Sequence, residues 1–427
     1  MEIDTKDYEN MLTYYVGRFR RDVSSFIKWL FLASVTGCVV GGISILFSYT
    51  LGAVTKCRET YNWLFFLLPV AGLIVVFLYD NFGKEDGGVN QVFSTICSKD
   101  DVRFRSAPLI FAATALTHLV GGSAGREGAA LQLGGSIGNQ LGHWIRLDEQ
   151  DRHILVMCGM SAGFAALFGT PLAAAVFAME VVSVGVMCYA ALMPCMFSSL
   201  IAAGFAARMG VHAEAFHVFE IPELTVVTAT KIGIVALACA AISVVFCVVL
   251  KMTGKIYQKY LKNKYLRIVV ASVLIIGITF LLRTSEYMGA GTGLIIRAVE
   301  EGQARPLDFL WKMLLTTLTM KAGFKGGEIV PSFAIGATFG CVLGQILGIS
   351  PSICAAAGMM SVFCGVTNCP LTSLLISFEL FGFDGISYYI IAVAVSYAVS
   401  GYYSLYKKQT IVFSKYKEKC IKRGTQA

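Results

Sequence analysis

The 427-residue chain is 56% hydrophobic and only 15% charged. Soluble domains carry about 25% charged residues, so this composition excludes an ordinary soluble protein and indicates an all-α integral membrane protein. The net charge of +8 arises from the two ends of the chain and requires no nucleic-acid partner.

Both ends of the chain are basic, with arginines in residues 1–26 and lysines throughout residues 411–427. Positive charge beside the first and last spans favours the cytoplasmic side of the membrane. We therefore expect two short cytoplasmic segments, an even number of crossings of the cell membrane and no regulatory domain. The N-terminus lacks the basic region and short apolar stretch of a cleavable signal.

Charge-free runs occupy most of the chain between these ends, and several exceed the roughly 20 residues that cross a lipid bilayer as a helix. The run 329–378 is too long for one span and is interrupted by glycines and by Pro351. This pattern predicts broken and tilted helices, which need protein neighbours because lipid cannot satisfy unpaired backbone groups. The longer runs are 29–55, 60–79, 106–125, 154–179, 181–207, 232–250, 329–378 and 385–406.

An apolar pattern occurs twice. The first copy is GREGAALQLGGSIGNQLG (125–142) followed by GMSAGFAALFGTPLAAAVFAMEV (159–181). The second copy is GGEIVPSFAIGATFGCVLG (326–344) followed by GMMSVFCGVTNCPLTSLLISFEL (358–380). Two such halves indicate a transporter whose substrate site lies where the broken helices meet. We assign the first repeat to residues 27–210 and the second to residues 226–410.

One stretch matches a hydrolase motif. GGSAG (121–125) fits G-x-S-x-G, and His118 precedes Ser123 by five residues, so an intramembrane serine hydrolase is a remote alternative. No strand is indicated before the motif, and no second apolar segment offers a histidine as the base. We therefore expect a protein that is not an enzyme. Neither the histidines nor the cysteines show a metal-ligand spacing, so we expect no metal and no cofactor.

Arg126 and Glu127 lie in the middle of an apolar region, at the predicted start of a Gly-rich helix. An ionisable residue inside a membrane is a functional candidate, and a helix N-terminus attracts anions. As a carboxylate, Glu127 can occupy such an anion site itself, and once protonated it can move away. One side chain would then compete with the anion and carry a proton. The alternative is that Glu127 only pairs with Arg126 or caps the helix.

These residues resemble the CLC family of chloride channels and anion/proton exchangers over roughly residues 30–410. The resemblance rests on GREGA (125–129), on the repeat, and on the helix starts GTPLA (169–173) and NCPLT (368–372). It implies a CLC-type inverted repeat of broken and tilted transmembrane helices and a homodimer with one anion pathway in each subunit. It also implies that Glu127 is the gate and the external proton carrier.

Three departures from the common pattern resemble the fluoride-exporting branch of that family. DGGVNQ (86–91) has Gly87 in place of the anion-coordinating serine and Asn90 in place of a proline. GGEIVP (326–331) contains Glu328, and Val181 stands where proton-coupled chloride exchangers carry an internal glutamate. The Asn90 amide offers two N–H donors to a strongly hydrated fluoride, whereas proline offers none. Alternatively, Asn90 is a helix cap or turn residue.

The resemblance implies an anion site built from three segments and a tyrosine near the end of the chain. Tyr406, within GYYSLYKKQ (401–409), best fits the central tyrosine, and Tyr402 and Tyr403 remain open. In the register of the repeat Glu127 falls opposite Ile329, so we expect the two segments to converge. The predicted anion-binding residues are Gly87, Gly88, Val89, Asn90, Gly125, Arg126, Gly128, Ile329, Val330 and Tyr406.

Three further carboxylates carry predictions. Glu328 is the candidate for the inward proton relay, because the repeat brings its segment towards Glu127; the alternative is an ion pair with Lys325 or Lys321. Glu180 and Glu379 occupy equivalent repeat positions, where we expect interfacial salt bridges.

The sequence therefore predicts a secondary active transporter that exports fluoride in exchange for protons. A chloride/proton exchanger or a chloride channel of the same family is the alternative. The expected partners are fluoride or chloride, protons, the lipid bilayer and a second copy of the chain.

Overall fold

Helices make up almost all of the regular structure. A computed structural model describes residues 5–84, 86–97, 101–417 and 419–425. The first half of the chain contains α1 (Thr5–Thr60), α2 (Leu68–Phe82), α3 (Val89–Cys97), α4 (Ser106–Leu119), α5 (Glu127–Trp144), α6 (Glu149–Phe168), α7 (Pro171–Glu180) and α8 (Leu192–Arg208). The second half contains α9 (Val226–Tyr260), α10 (Lys264–Leu282), α11 (Thr292–Glu300), α12 (Asp308–Ala322), α13 (Ile329–Leu347), α14 (Pro351–Thr367), α15 (Pro370–Phe381) and α16 (Ile386–Val399).

Within the described residues, six helical stretches are long and apolar enough to cross a membrane. Other apolar helices, such as α7 and α15, have only 10 and 12 residues. Such short helices cannot span a bilayer alone, so they must lie among protein neighbours. The sequence prediction of broken helices is therefore confirmed. The six stretches are Thr13–Thr60, Asn62–Phe82, Tyr189–Arg208, Val226–Tyr260, Lys264–Leu282 and Ile329–Leu347.

The repeated glycines let two pairs of helices touch backbone to backbone. In the α5–α6 pair, a Cβ added to Gly134 would lie 2.1 Å from the carbonyl oxygen of Gly159. In the α13–α14 pair, a Cβ on Gly336 would lie 2.5 Å from the carbonyl oxygen of Gly358. Both distances are far below van der Waals contact, so no larger residue fits. The two glycine series hold the same close packing in each repeat and bring the starts of α5 and α13 into the interior.

Glu180 and Glu379 join the repeats in a different way from the predicted salt bridges. The Glu180 carboxylate accepts hydrogen bonds from the N–H groups of Leu371 and Thr372, at 3.1 and 2.8 Å, at the start of α15. The Glu379 carboxylate accepts from the N–H groups at the start of α7, at 2.9 Å each. Each carboxylate satisfies free amides and complements the positive end of a helix in the other repeat. The salt-bridge prediction was therefore wrong about the type of partner.

The basic tail forms part of a small sheet, which the all-α prediction did not include. Strand β1 (Ser183–Val184) pairs in parallel with β2 (Thr410–Phe413), and β2 pairs antiparallel with β3 (Cys420–Gly424). Beyond the sheet, the Thr425 hydroxyl donates to the carbonyl oxygen of Tyr406 at 2.8 Å. The tail therefore folds back onto the segment that carries the predicted central tyrosine.

Candidate functional site

The two Gly-rich segments meet in a short antiparallel bridge between the repeats. The Gly125 N–H donates to the Gly327 carbonyl oxygen, and the Gly327 N–H donates to the Gly125 oxygen, both at 2.7 Å. Helices α5 and α13 begin two residues after these glycines, at Glu127 and Ile329. The predicted register, with Glu127 opposite Ile329, is confirmed. Two positive helix ends therefore face one small volume, an arrangement that favours an anion.

The Glu127 carboxylate lies in that volume, and its residue is fully buried. Its Oε2 atom accepts a hydrogen bond from the Val330 N–H at 3.3 Å, across the repeat boundary. Its Oε1 atom has no hydrogen-bond partner among the described residues. A buried polar atom without a partner is costly and uncommon, and such atoms concentrate at functional sites. The carboxylate therefore occupies the volume between the two positive helix ends.

Glycine is required at the positions around this carboxylate. A Cβ on Gly125 would lie 2.2 Å from the Glu127 Oε2 atom, and a Cβ on Gly327 would lie 2.7 Å from it. A Cβ on Gly128 would lie 3.2 Å from Gly327 Cα and 3.7 Å from a methyl group of Val89. Gly125 and Gly327 thus leave room for the Glu127 carboxylate because neither residue carries a side chain.

Arg126 does not serve as the ion-pair partner of Glu127. Its guanidinium group donates to Glu214 at 2.6 Å and approaches the carbonyl oxygen of Leu167 at 3.4 Å. Arg126, Glu214 and His118 line a cavity of about 1200 Å³ above the start of α5. The predicted alternative, in which Glu127 merely pairs with Arg126, does not describe this structure. Arg126 instead lines this large cavity.

Asn90 links the start of α3 to the segment that carries Tyr406. Its Oδ1 atom accepts a hydrogen bond from the Lys408 N–H at 3.2 Å. Because a backbone N–H can only donate, the oxygen must face Lys408 and the two amide N–H groups must point elsewhere. The Tyr406 ring is buried and packs edge-on against Phe93, with ring centroids 5.0 Å apart.

The geometry separates two of the three candidate tyrosines, Tyr402 and Tyr406. The Tyr402 hydroxyl shares a hydrogen bond with Ser414 at 3.0 Å, next to the tail sheet. Tyr406 is instead buried against Phe93 of α3, the helix that begins with Val89 and Asn90.

The amides of Gly87 and Gly88 are occupied by side chains, contrary to their predicted role in anion binding. The Gly87 N–H donates to Gln91 Oε1 at 3.0 Å, and the Gly88 N–H donates to Asp86 Oδ1 at 2.8 Å. The Gln132 amide also donates to Asp86, at 2.9 Å from both oxygens. The loop before α3 is thus closed by its own polar side chains, and these two amides would have to be released before they could bind an anion.

Glu328 forms the ion pair that the sequence offered as an alternative to a proton relay. Lys321 Nζ lies 3.3 Å from Glu328 Oε1, and both side chains are largely buried. Lys325, the other candidate partner, instead places its ammonium over the ring of Tyr79, 4.0 Å from the ring centroid. Glu328 lies one residue before α13, at the position equivalent to Arg126 in the repeat.

Lys312 is a buried charged residue that the sequence analysis missed. It is fully buried in the middle of α12. Its Nζ atom donates to Ser123 Oγ at 3.0 Å, to the Tyr287 carbonyl oxygen at 3.1 Å and to the Gly289 carbonyl oxygen at 2.7 Å. A lone lysine inside the apolar stretch DFLWKMLLTTLTM was the available signal.

The hydrolase motif does not place His118 as a base on Ser123. Ser123 is buried, and its hydroxyl contacts Lys312 Nζ and Thr316 Oγ1, each at 3.0 Å. The ring of His118 faces the carbonyl oxygen of Gly125 instead, at 3.4 Å. The serine–histidine pair that the motif would need is therefore not formed. The described residues also contain no group of His, Cys, Asp and Glu side chains that could hold a metal ion.

Comparisons with known proteins agree with this architecture. A family model described as voltage gated chloride channel matches residues 71–401. A chloride/fluoride channel protein of Pseudomonas syringae pv. tomato is 34% identical, over 94% of this chain and 91% of that protein. The H(+)/Cl(-) exchange transporter ClcA of Vibrio cholerae is 25% identical, over 82% of this chain and 81% of that protein.

Two solved structures also match this architecture. The crystal structure of a CLC-type fluoride/proton antiporter has a TM-score of 0.87 and 33% sequence identity, and the match covers 90% of this chain and 98% of the other. A slow cyanobacterial Cl-/H+ antiporter has a TM-score of 0.75 at 19% identity, over 87% of this chain and 94% of the other. The second match shows the fold alone.

Replacing Gly125 with alanine should expel the Glu127 carboxylate from its position between the helices. The new Cβ would lie 2.2 Å from Oε2, the far end of a flexible side chain, and only 3.0 Å from Pro331 Cδ. We expect an electron cryomicroscopy structure of Gly125→Ala to show a folded protein in which Glu127 no longer contacts the Val330 N–H. Gly277→Ala is the control, since a Cβ there meets nothing within 4 Å. A folded Gly125→Ala protein with the carboxylate unmoved would contradict this interpretation.

Proposed function

The chain belongs to the family of voltage-gated chloride channels and related antiporters, the CLC family, and we propose that it exports fluoride in exchange for protons. The observation that carries this proposal is the buried Glu127 carboxylate, which occupies an anion position between two helix N-termini. A group that can be charged or neutral in that position links the movement of an anion to the movement of a proton.

The proposed cycle depends on competition for the volume between α5 and α13. When Glu127 is ionised, its carboxylate fills the volume and accepts a hydrogen bond from the Val330 N–H. When Glu127 is protonated, it loses its attraction to the helix ends and can leave, and a fluoride ion takes its place. Glu127 then gives up its proton on the side opposite the one from which the proton came, and the returning carboxylate displaces the fluoride ion. Anion and proton therefore move in opposite directions.

We propose that Asn90 contributes to the selectivity for fluoride. Fluoride is small and strongly hydrated, so a binding site must replace its hydration shell with strong donors. The Asn90 oxygen faces Lys408, which directs the two amide N–H groups away from that contact, where they can serve as those donors. The sequence identity of 34% to a protein named a chloride/fluoride channel supports the same ion. Chloride remains the alternative substrate, and the flux ratio separates the two.

The inward proton route, in this proposal, passes from Glu127 to Glu328. Val181 supplies no carboxylate at the position used by proton-coupled chloride exchangers, whereas Glu328 lies at the start of the helix that meets Glu127. We place Tyr406 on the same route, since its buried ring packs against Phe93 of α3, the helix that carries Asn90. The ion pair between Glu328 and Lys321 must open for Glu328 to accept a proton.

We further propose a homodimer in the cell membrane with both termini in the cytoplasm. Basic residues flank the first and last spans, which favours cytoplasmic ends. Helices α7, α8, α15 and α16 expose large apolar side chains that suit either lipid or a second subunit. Examples are Leu172, Leu200, Leu371 and Ile390.

Replacing Glu127 with glutamine should abolish proton coupling. Glutamine keeps the shape of the side chain, but its amide cannot bind and release a proton as a carboxylate does. We expect proteoliposomes that contain Glu127→Gln to show no proton movement driven by a fluoride gradient, measured with fluoride and pH electrodes in one chamber. Wild-type protein in the same lipid is the control, and coupled exchange that persists in the variant would refute the assignment.

Replacing Asn90 should lower the ratio of fluoride to chloride flux. Asn90→Pro removes both amide donors and is compatible with the first turn of α3. At about 1 kcal/mol for each lost hydrogen bond, the ratio should fall by roughly an order of magnitude or more. Asn90→Asp keeps an acceptor for the Lys408 N–H and removes the donors, so the ratio of fluoride to chloride flux should fall in this variant too. If Asn90→Asp retains the wild-type ratio, the residue only ties α3 to Lys408.

Replacing Glu328 with glutamine distinguishes a proton relay from a structural ion pair. If Glu328 is a relay, the Glu328→Gln variant should bind fluoride with wild-type affinity, and its proton flux driven by fluoride should fall about 10-fold or more, an order-of-magnitude expectation for a lost proton-transfer group. Lys321→Gln breaks the same ion pair and is the matched variant. If both variants lose the same thermal stability and keep coupled exchange, Glu328 is structural.

A further inference from the structure

A carboxylate other than Glu127 lies at the start of α3. The Asp86 carboxylate accepts a hydrogen bond from the Gly88 N–H at 2.8 Å, immediately before that helix begins. It also accepts from the side-chain amide of Gln132, whose nitrogen lies 2.9 Å from both carboxylate oxygens. Backbone N–H groups at a helix start, joined by a side-chain donor, suit a small free anion as well as a carboxylate. Asp86 thus places a negative charge on two donors that an anion could use.

The start of α3 lies against the start of α5. A Cβ on Gly128 would lie 3.7 Å from a methyl group of Val89, the first residue of α3. Gln132 belongs to α5 and follows Glu127 by five residues, about 7.5 Å along the helix axis. The position that Asp86 occupies is therefore adjacent, along α5, to the volume that Glu127 occupies.

The amide donor is fixed, whereas the carboxylate belongs to a loop. Gln132 is only 2% exposed, so its amide cannot turn to water. Asp86 is half-buried, and the two glycines that follow it include Gly88 with a φ of 67°, so the backbone there has few steric limits. A buried N–H left without an acceptor is costly. A carboxylate that leaves Gln132 must therefore be replaced by another acceptor.

A basic cavity lies beside this carboxylate. It has a volume of about 230 Å³, and its wall includes Asp86 and three basic residues, Lys84, Arg103 and Arg105. All three basic residues are exposed. Positive residues around a cleft raise the local concentration of anions. The cavity therefore offers an anion an approach to the start of α3, and it offers a displaced carboxylate cationic neighbours.

We propose that Asp86 competes with the transported anion for a second anion position, made by the Gly88 N–H and the Gln132 amide. This inference rests on the proposed transport of an anion through the site of Glu127. An anion that arrives through the basic cavity displaces the carboxylate, binds the two donors and then lies next to the volume of Glu127. Because the carboxylate is tethered, it competes at a high effective concentration. Asp86 thereby sets the affinity of this position.

The test compares Asp86→Ala with Asp101→Ala by isothermal titration calorimetry with fluoride and with chloride. Asp86→Ala frees both donors, so we expect the transported anion to bind about 10-fold more tightly, an order-of-magnitude expectation for removal of a charged competitor. Asp101 is the matched control, because its carboxylate accepts from Asn139 of the same helix, at 2.6 Å, and from His143, rather than from a helix start. Asp101→Ala should change the affinity by less than about 2-fold, since salt screens an exposed charge.

The double variant Asp86→Ala/Gln132→Ala locates the gain in affinity. Because it lacks the buried amide donor, its affinity should return to within about 3-fold of the wild-type value. A gain that persists in full without Gln132 would show that the anion binds elsewhere, and would overturn the inference.

The remaining outcomes separate this inference from the proposed function. Wild-type proteoliposomes that fail to exchange fluoride for protons would reject the proposed function, whereas the affinities test Asp86. Unchanged or weaker binding in folded Asp86→Ala, or an equal gain in Asp101→Ala, overturns the inference. If Asp86→Ala does not fold, Asp86→Asn decides, because it keeps an acceptor for the Gly88 N–H without the charge. Tighter binding then supports the inference, and unchanged binding or misfolding assigns Asp86 a structural role only.

Discussion

The structure depends on one backbone contact, the reciprocal hydrogen bonds between Gly125 and Gly327. These two bonds hold the starts of α5 and α13 side by side, which the close glycine packing of each helix on its neighbour makes possible. Because both helix ends present free amides and positive dipole ends, the volume between them requires a negative charge. Glu127 supplies that charge here, because its carboxylate lies between the two helix starts.

The other buried charges in the molecule are arranged around this requirement. Glu180 and Glu379 accept hydrogen bonds from the N–H groups at the starts of α15 and α7, so a carboxylate already occupies each of those two helix ends. Arg126 forms an ion pair with Glu214 in the wall of the large cavity. The buried Glu127 carboxylate differs from these two, because its Oε1 atom has no hydrogen-bond partner among the described residues. In the proposed function, that difference separates the gate from the two structural caps.

Much of the fold could be predicted from the sequence, because glycine spacing and charge-free runs report directly on helix packing and membrane burial. The convergence of the two Gly-rich segments near Glu127 could be predicted from the register of the repeat. The tail sheet could not be predicted, since β1 and β2 lie more than two hundred residues apart and are too short to show a pattern. Lys312 was missed because its burial and its hydrogen-bond partners are properties of the fold. The occupied amides of Gly87 and Gly88 depend on rotamers of Asp86 and Gln91 that no motif encodes.

The most direct test of the account is the voltage at which net ion flow through purified protein stops. With equal fluoride on both sides of a liposome membrane and a pH difference across it, an antiporter must use the proton gradient to drive fluoride. The account predicts that the reversal voltage shifts away from zero as the pH difference increases, in the direction set by opposite movement of fluoride and protons. A reversal voltage that stays at zero at every pH difference would show that fluoride moves without protons, and would contradict the role assigned to Glu127.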